Sequence, residues 1–428
     1  MINPPTLWHA TTPQQTQYPV LNDLIQTDVV IIGGGFTGLA AAGKLSEAGR
    51  SVIVLEAHTI GFGASGRNAG FVVPNFSKAS PDYVIDKLGD KRGKALLQMV
   101  GRGADRVFEL ARLGGLTREA EQNGWLQPAH SAEMAQALKQ RVTRWQSLGQ
   151  PVEWLNAEQT IERTGIQLYH GALRDNSGGM INPLAYVHVL AKRAQSFGAQ
   201  IYEKSSVLSV EKHQDKWLID TPNSSVTAQS VLMCTNAFEK GAAHQVGRTI
   251  IPLHVYQMAT KPLPQNIVQR FSPMREPVSD SRTNIFTYRL DQDNRLISGG
   301  MALLPFHAEK RMSHAIVSRL SHELQLSEVP EVEFIWRGTA AITTDYLPHI
   351  YQFGNGFFGA TSCNGRGVAM TTMLGETLAD AILGTCPTDQ LPVPLMAAKP
   401  VRLRPLAKAA PSFVLAQAKL KDWLKSKN

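Results

Sequence analysis

Gly33, Gly35 and Gly38 stand in the spacing G-x-G-x-x-G, and an acid, Glu56, closes the apolar stretch that follows. Residues of these types in this order suit a dinucleotide. Gly33 allows a tight turn, Gly35 lets a pyrophosphate approach the backbone, and Gly38 lets a helix lie against a sheet. The diphosphate then meets the positive end of that helix, and Glu56 accepts hydrogen bonds from ribose hydroxyls. A second glycine-rich stretch comes next. Gly61 to Phe71 reads GFGASGRNAGF, with four glycines in eleven residues and almost nothing to build a core. A loop of this composition bends sharply or lets another molecule approach its backbone.

These residues need particular elements to hold them. DVVII (28–32) reads as a buried strand, GGGFTG as the turn, LAAAGKLSEAG as a helix stopping at Gly49, and SVIVLEA as a second strand. That is the βαβ unit of a dinucleotide-binding fold. The loop after Glu56 separates NAD from FAD: an NAD enzyme of this type continues its sheet soon after the acid. This chain enters a glycine-rich path instead, as a longer cofactor laid across the sheet requires. Further along, Pro183 to Gly198 reads as a helix, with proline near its start and glycine after its end. Residues 80–165 are helix-rich, 248–300 strand-rich with a hairpin around Asp291 to Asn294, and 312–326 helical. GFFGATSCNGRGVAMTTMLGETLADAILG gives a strand, a turn and a long helix closed by Gly384.

At these motifs the chain resembles the D-amino acid oxidase (glycine oxidase) class of FAD-dependent oxidoreductases, most nearly its bacterial γ-glutamylputrescine oxidoreductase and L-pipecolate oxidase groups. VIIGGGFTGLAAAGKLSEAGRSVIVLEA, IGFGASGRNAG, DNSGGMINPLAY, VLMCTNAF, DNRLISGG and NGRGVAMTTMLGETLADAIL carry the resemblance from about residue 5 to about residue 425. It implies an α/β fold: a Rossmann-like FAD-binding domain (28–79, 166–245 and 334–385) interleaved with an α+β substrate domain on a mostly antiparallel sheet (80–165 and 246–333). A basic tail with a terminal helix, 386–428, completes the chain.

The resemblance also supplies contacts. In the turn, Phe36 and Thr37 join the three glycines, and Ala57 joins Glu56. Along the loop, Gly63, Ala64, Ser65, Arg67, Asn68, Ala69 and Gly70 pass the diphosphate and the isoalloxazine, largely through backbone amides. Val207, Thr235, Asn236 and Gly338 come from later strands. Asn364, Gly365, Arg366, Gly367 and Val368 bring the start of the final helix to the flavin. The activity implied is oxidation of a C–N bond in an amine or imino acid, with hydride passing to flavin N5, imine hydrolysis, and oxygen reduced to peroxide.

Departures from the family pattern matter as much. Where relatives attach FAD through a histidine, Arg67 stands, and the residues around Ala340 to Thr343 hold no cysteine, so the flavin is expected to be non-covalent. Glycine oxidases place a carboxylate-binding arginine in W-x-G-x-R-P; here WRGTAA puts Ala340 there. Arg366 replaces a histidine ahead of the last helix, and it is a catalytic candidate through its charge at the flavin edge, with a solvent-facing or acid-paired arginine as the alternative. Tyr256 and Tyr288, on substrate-domain strands, are candidates for the pocket wall, with core packing as the competing reading. Trp336 reads as packing, and GASGR lacks the second glycine of a nucleophile elbow.

Composition closes off other classes. The chain has 428 residues, 43% apolar and 18% charged, as in an ordinary globular enzyme. Its net charge of +8 is concentrated in residues 399–428, where eight basic side chains face one acid, Asp422. RNA-modifying flavoproteins share this fold, but a near-neutral body without interleaved aromatic and basic residues argues against a nucleic-acid partner. Phe413, Leu420, Trp423 and Leu424 fall near one helical face of the tail. That face either docks on the protein itself or touches an anionic membrane weakly, where a quinone would replace oxygen as acceptor. Three scattered cysteines suggest no disulfides, the histidines show no metal-ligand spacing, and no leader or spanning segment is apparent, so a cytoplasmic protein without a metal is expected.

Overall fold

The apolar run Val29–Ile32 is buried on both faces. Val29 and Ile31 pack beneath helices, while Val30 and Ile32 pack with Ile53, Leu55, Val231 and Met233 on the opposite side. A strand covered on both sides needs apolar residues at every position, which is why this run does not alternate. The computed structural model describes residues 6–12, 16–302, 306–361, 363–407 and 417. Within them, the first sheet runs in the order Leu395–Met396, His349–Gly354, Phe357–Thr361, Ser225–Met233, Ile25–Ile32, Val52–Leu55, Gln200–Tyr202. The last five of these strands are mutually parallel.

Three helices cover one face: Phe36–Glu47, Pro183–Ser196 and Gly367–Leu383. The middle one starts at Pro183, and Asn182 caps it by accepting the Leu184 and Ala185 N–H groups at 3.1 Å each. The last one stops at Gly384 in the left-handed conformation, φ 69°. The first and last helices meet backbone to backbone. A Cβ at Gly375 would collide with the Thr37 carbonyl oxygen and come within 3.1 Å of Ala40 Cβ. Gly375→Val is therefore expected to cost about 1–3 kcal/mol or more by overpacking. A fall of several degrees in the unfolding midpoint checks this; an unchanged midpoint argues against the contact.

The second sheet runs Val332–Ile342, Ile251–Pro262, Arg295–Gly300, Thr287–Leu290, Val278–Ser279, Trp125–Pro128, Ala172–Asp175, Val152–Leu155. Its pairings are antiparallel except that of Val278 with Leu126. The helix Ala308–Glu323 covers one face through Met312, Ile316, Val317 and Leu320. A small sheet of Phe71–Val72, Gly179–Ile181 and Ala120–Glu121 lies at the junction of the two units.

Some segments sit in a different sheet from the one expected. Ala172–Asp175 and Gly179–Ile181, inside the expected 166–245 segment, belong to the second and the small sheet. Val332–Ile342, which straddles the expected boundary at 334, pairs along its length with Ile251–Pro262. Leu395–Met396, placed in the tail, adds an edge strand to the first sheet. Strand pairing is set by distant partners, and a strand's own residues do not say which sheet it joins. The terminal helix expected around Phe413 to Leu424 lies outside the described residues. Among the described residues no helix is long and apolar enough to cross a membrane.

Candidate functional site

The glycine turn lies where three parallel strands end together. Gly33 has φ 114°, a conformation L side chains rarely adopt, and donates its N–H to Leu55 O at 2.9 Å. A Cβ there would stand 2.7 Å from Cys234 O, so the end of Ser225–Met233 presses directly on the turn. Gly35 then begins the helix Phe36–Glu47 and has no side chain to cap it. The glycine-rich loop folds back over this terminus. Ser65 Oγ accepts the Phe36 N–H at 3.1 Å and would lie 2.8 Å from any Cβ at Gly35. The result is a shallow cradle at a helix N-terminus that a side chain would fill, as an anion site requires.

Glu56 stands at the rim of the cradle. Its two carboxylate oxygens accept the Gly34 and His58 N–H groups, each at 2.8 Å. Burial pushes its pKa up, while those N–H groups hold it down. Each oxygen keeps a second lone pair for a ribose hydroxyl. In Glu56→Gln the carboxamide keeps one oxygen acceptor, and its amide end opposes an N–H. Losing one charge-assisted bond is worth about 1.5 kcal/mol, so FAD affinity is expected to fall roughly tenfold. Fluorescence titration of the apoprotein measures this, and wild-type affinity would show that Glu56 does not reach the ribose.

The loop is wound on itself more tightly than its composition suggests. Asn68 Nδ2 donates to Ala64 O (3.1 Å) and Ser65 O (2.8 Å), and Asn68 Oδ1 accepts the Gly70 N–H at 2.8 Å. The Arg67 and Asn68 N–H groups both turn back to Ala64 O. The expectation that the backbone amides of Arg67, Asn68 and Gly70 face the cofactor is thus corrected, because they close the loop. The Phe36 amide is likewise taken by Ser65. Ala64, Ser65 and Ala69 carry the loop's remaining amides, and Gly63 lies under the Phe238 ring, where a Cβ would come within 2.9 Å.

Residues missed in the sequence hold the loop in place. The Trp8 and Trp336 indoles donate to Asn68 O (2.8 Å) and Arg67 O (2.9 Å). The buried Arg289 guanidinium donates to Gly70 O (3.1 Å) and Ile181 O (3.2 Å) and lies 5.1 Å from the Trp8 ring centre. Burial pulls its pKa down to about 10. A small cleft opens beside this anchor, lined by Trp8, Glu119, Asn182 and Asp291 among others, and none of the expected cofactor residues lines it. Arg67 is buried too. Its Nε donates to Phe62 O at 3.1 Å and its Nη1 to Arg337 O at 3.4 Å, and burial, then Arg337, lowers its pKa. A guanidinium bonded to carbonyls rather than carboxylates leaves positive potential under the loop.

The other expected contacts divide. Thr235 follows the strand that presses on Gly33, and its hydroxyl is buried without a partner among the described residues. Asn236 has φ 49° and accepts the Thr361 hydroxyl at 3.3 Å. Val207 packs into the core behind the first sheet, and Ala57 is exposed. Gly338 lies against Arg67, with 3.5 Å from a built Cβ to Arg67 Cβ. The Asn364 side chain is occupied: Oδ1 accepts the Thr343 N–H (2.9 Å) and hydroxyl (3.1 Å), fixing the turn before the last helix. Gly365 is exposed with φ 83°, and Val368 is a core residue. The last helix begins at Gly367 without a side-chain cap, leaving its N-terminal amides and dipole available.

Two catalytic candidates are corrected by strand alternation. Tyr288 is fully buried between Phe271 and Phe286, with its hydroxyl 3.4 Å from Phe271 O. Tyr256 packs in the same core, with Met258 and the residues of the Ala308–Glu323 helix. Both point away from the glycine loop. The opposite face carries Trp336 and, directly across from it, Gln257, whose Oε1 is buried and unpaired. Arg366 donates from Nη1 to Phe76 O at 3.0 Å, and its guanidinium lies 4.6 Å from the Trp125 ring centre, so it faces the second sheet rather than open solvent.

The residues present fit FAD. A cradle that only glycine leaves open, an unpaired Thr235 hydroxyl beside it, and a carboxylate at the strand end are what a dinucleotide's phosphates and ribose need. A family profile described as FAD dependent oxidoreductase (DAO) matches residues 28–381. The chain belongs to this family. As an FAD-dependent oxidoreductase of the DAO family it is similar to the probable oxidoreductase OrdL of Haemophilus influenzae, at 29% identity over 87% of this chain and 86% of that one. It is also similar to the γ-glutamylputrescine oxidoreductase of Escherichia coli, at 27% identity over 88% of each. In fold it matches the crystal structure of glycine oxidase from Geobacillus kaustophilus, with a TM-score of 0.72 and 22% identity over 87% of this chain and 99% of that one.

Proposed function

We propose that this enzyme oxidises a C–N bond in an amine or imino acid and passes the electrons to oxygen, releasing hydrogen peroxide. The observation that supports this most is the glycine cradle with the loop folded over it, in a chain that belongs to a family of FAD-dependent oxidoreductases. FAD, when bound, supplies the two-electron acceptor for hydride from the carbon bearing the amine. The protein's own part is placement and charge. The uncapped amides at Gly367 and Val368 stabilise negative charge developing opposite the substrate. Trp336, paired across the strands with Gln257, supports the glycine loop from beneath through Arg67 O. The amine must arrive neutral, because an ammonium has no lone pair to expel hydride. Water hydrolyses the resulting imine to a carbonyl and an amine.

Purified protein is expected to be yellow and to consume oxygen with one of the polyamines, γ-glutamylated amines, cyclic imino acids or N-methyl amines. Flavin bleaching by none of them under nitrogen overturns the reading. The FAD is further proposed to be non-covalent. Arg67 cannot take the place of a linking histidine, and Cys363, the thiol near the start of the last helix, is kept protonated as burial raises its pKa. Acid precipitation should leave the flavin in the supernatant; colour retained on the polypeptide refutes this.

A further inference from the structure

Three cations gather where the start of the last helix, the second sheet and the helix Ala132–Gln146 come together. Arg366 is fixed by Phe76 O and Trp125. Arg141, half-buried beside the packed Leu138 and Val142, and Lys78, exposed at the rim, lie within electrostatic reach of it. Among the described residues no carboxylate acts appreciably on Lys78 or Arg141. The acid in the cluster, Asp175, stands opposite Trp125 across the strand pair and already accepts the Ser177 N–H (3.1 Å) and hydroxyl (2.7 Å). Among the described residues Asp175 is the carboxyl that acts on Arg366, and Asp105 in turn acts on Asp175.

Unpaired polar groups surround them. Asn75, next to Phe76, is 3% exposed, and among the described residues neither its amide nitrogen nor its oxygen has a partner. Gln127 shares the Trp125 face of its strand and leaves Oε1 buried and unpaired. Burial followed by mutual repulsion lowers the Arg366 pKa to about 9 and pulls Lys78 down as well, and burial lowers Arg141. Burying like charges and open amides together is unfavourable unless an anion completes the set.

We propose that this cluster seats a carboxylate carried by the substrate, gripped by Arg366, Arg141 and Lys78 with Asn75 as a further donor. Guanidinium groups fit the two oxygens of a carboxylate, and a lysine at the mouth draws the anion inward. Arg366 immediately precedes the start of the last helix, so the grip adjoins the proposed reaction site. The assignment rests on the amine-oxidation reading only for the identity of the ligand as substrate.

Glutarate, a dicarboxylate with no oxidisable nitrogen, is the probe. Calorimetric titration of the FAD-loaded enzyme should show binding that weakens about tenfold or more in Arg141→Gln and in Lys78→Gln. Lys87→Gln, on the neighbouring helix Pro81–Leu88, should bind as wild type. Glutarate should also raise the KM for the amine without lowering kcat. No binding to wild type, undiminished affinity in both cluster variants, or tighter binding of inorganic phosphate at equal ionic strength overturns the proposal. Lys78 is exposed, so its variant keeps the test open if Arg141→Gln does not fold. Amine-driven bleaching on the same samples tests the oxidation reading separately. Bleaching without glutarate binding removes the site alone, and binding without bleaching removes the oxidation reading and leaves a carboxylate site.

Discussion

Gly38→Ala is expected to yield a protein that no longer holds FAD. A Cβ at Gly38 would collide with the Gly33 carbonyl oxygen and come within 3.0 Å of Ile31 Cγ2. Neither can yield cheaply. Ile31 is fully buried in the first strand, and Gly33 is pinned by its bond to Leu55 O and by Cys234 behind it. The helix must therefore move off the turn, taking the Gly35 cradle out of register with Ser65 and Glu56. Overpacking alone costs about 1–3 kcal/mol. Losing two charge-assisted bonds to the diphosphate adds at least about 3 kcal/mol in binding, more than a hundredfold in affinity. Gly49→Ala is the matched control, since Gly49 has φ 81° but no atom within 4 Å of a built Cβ. It is expected to lose about 1–3 kcal/mol of stability to backbone strain and nothing in FAD affinity. Equal affinity in the Gly38 and wild-type proteins would mean that the helix does not rest on the turn.

The contrast between those two glycines also shows what the sequence makes legible. The βαβ unit is local: strand, turn, helix and acid lie within thirty residues, and each is marked by its own residue types. The final helix and its stop at Gly384 were readable for the same reason. Sheet membership was not, because Val332–Ile342 finds its partner some eighty residues away. The face of a strand was not either. Tyr256 and Gln257 are neighbours in sequence, yet pairing turns the tyrosine to the core and the amide to the opposite face, across from Trp336. In the glycine loop the composition correctly signalled close approach, but Asn68 Oδ1 takes the Gly70 amide and the Arg67 and Asn68 amides turn back to Ala64 O, bonding that glycine content does not reveal. Arg366 was visible as a departure from the family pattern. Its surroundings were not, since Phe76, Trp125, Arg141 and Asp175 come from four separate elements.

Simple α-amino acids are expected to be poor substrates, by one to two orders of magnitude in kcat/KM against extended or cyclic amines. Ala340 shares a face of its strand with Trp336 and Gly338, and both of those lie against Arg67 in the glycine loop. An arginine at position 340 would project toward the cofactor side, where it could clamp a carboxylate beside the reacting carbon. Alanine offers no such cation. Arg337 alternates to the other face and is exposed, and Arg366 is held toward Trp125 and Phe76. A bidentate guanidinium–carboxylate pair is worth about 2–3 kcal/mol, which sets the size of the expected gap. The measurement is kcat/KM for glycine, D-alanine, L-pipecolate and γ-glutamylputrescine with wild type and Arg366→Ala. γ-Glutamylputrescine carries its carboxylate far from the C–N bond to be oxidised, whereas pipecolate carries it next to the ring nitrogen's carbon. If the cationic cluster receives the remote group, γ-glutamylputrescine should lead and lose most of its advantage, through KM, in Arg366→Ala. If pipecolate leads and the same variant abolishes it selectively, Arg366 swings to the reacting carbon and replaces the missing arginine. A best rate with glycine or D-alanine would show that a cation other than residue 340 clamps the α-carboxylate, and the argument from Ala340 would then be wrong.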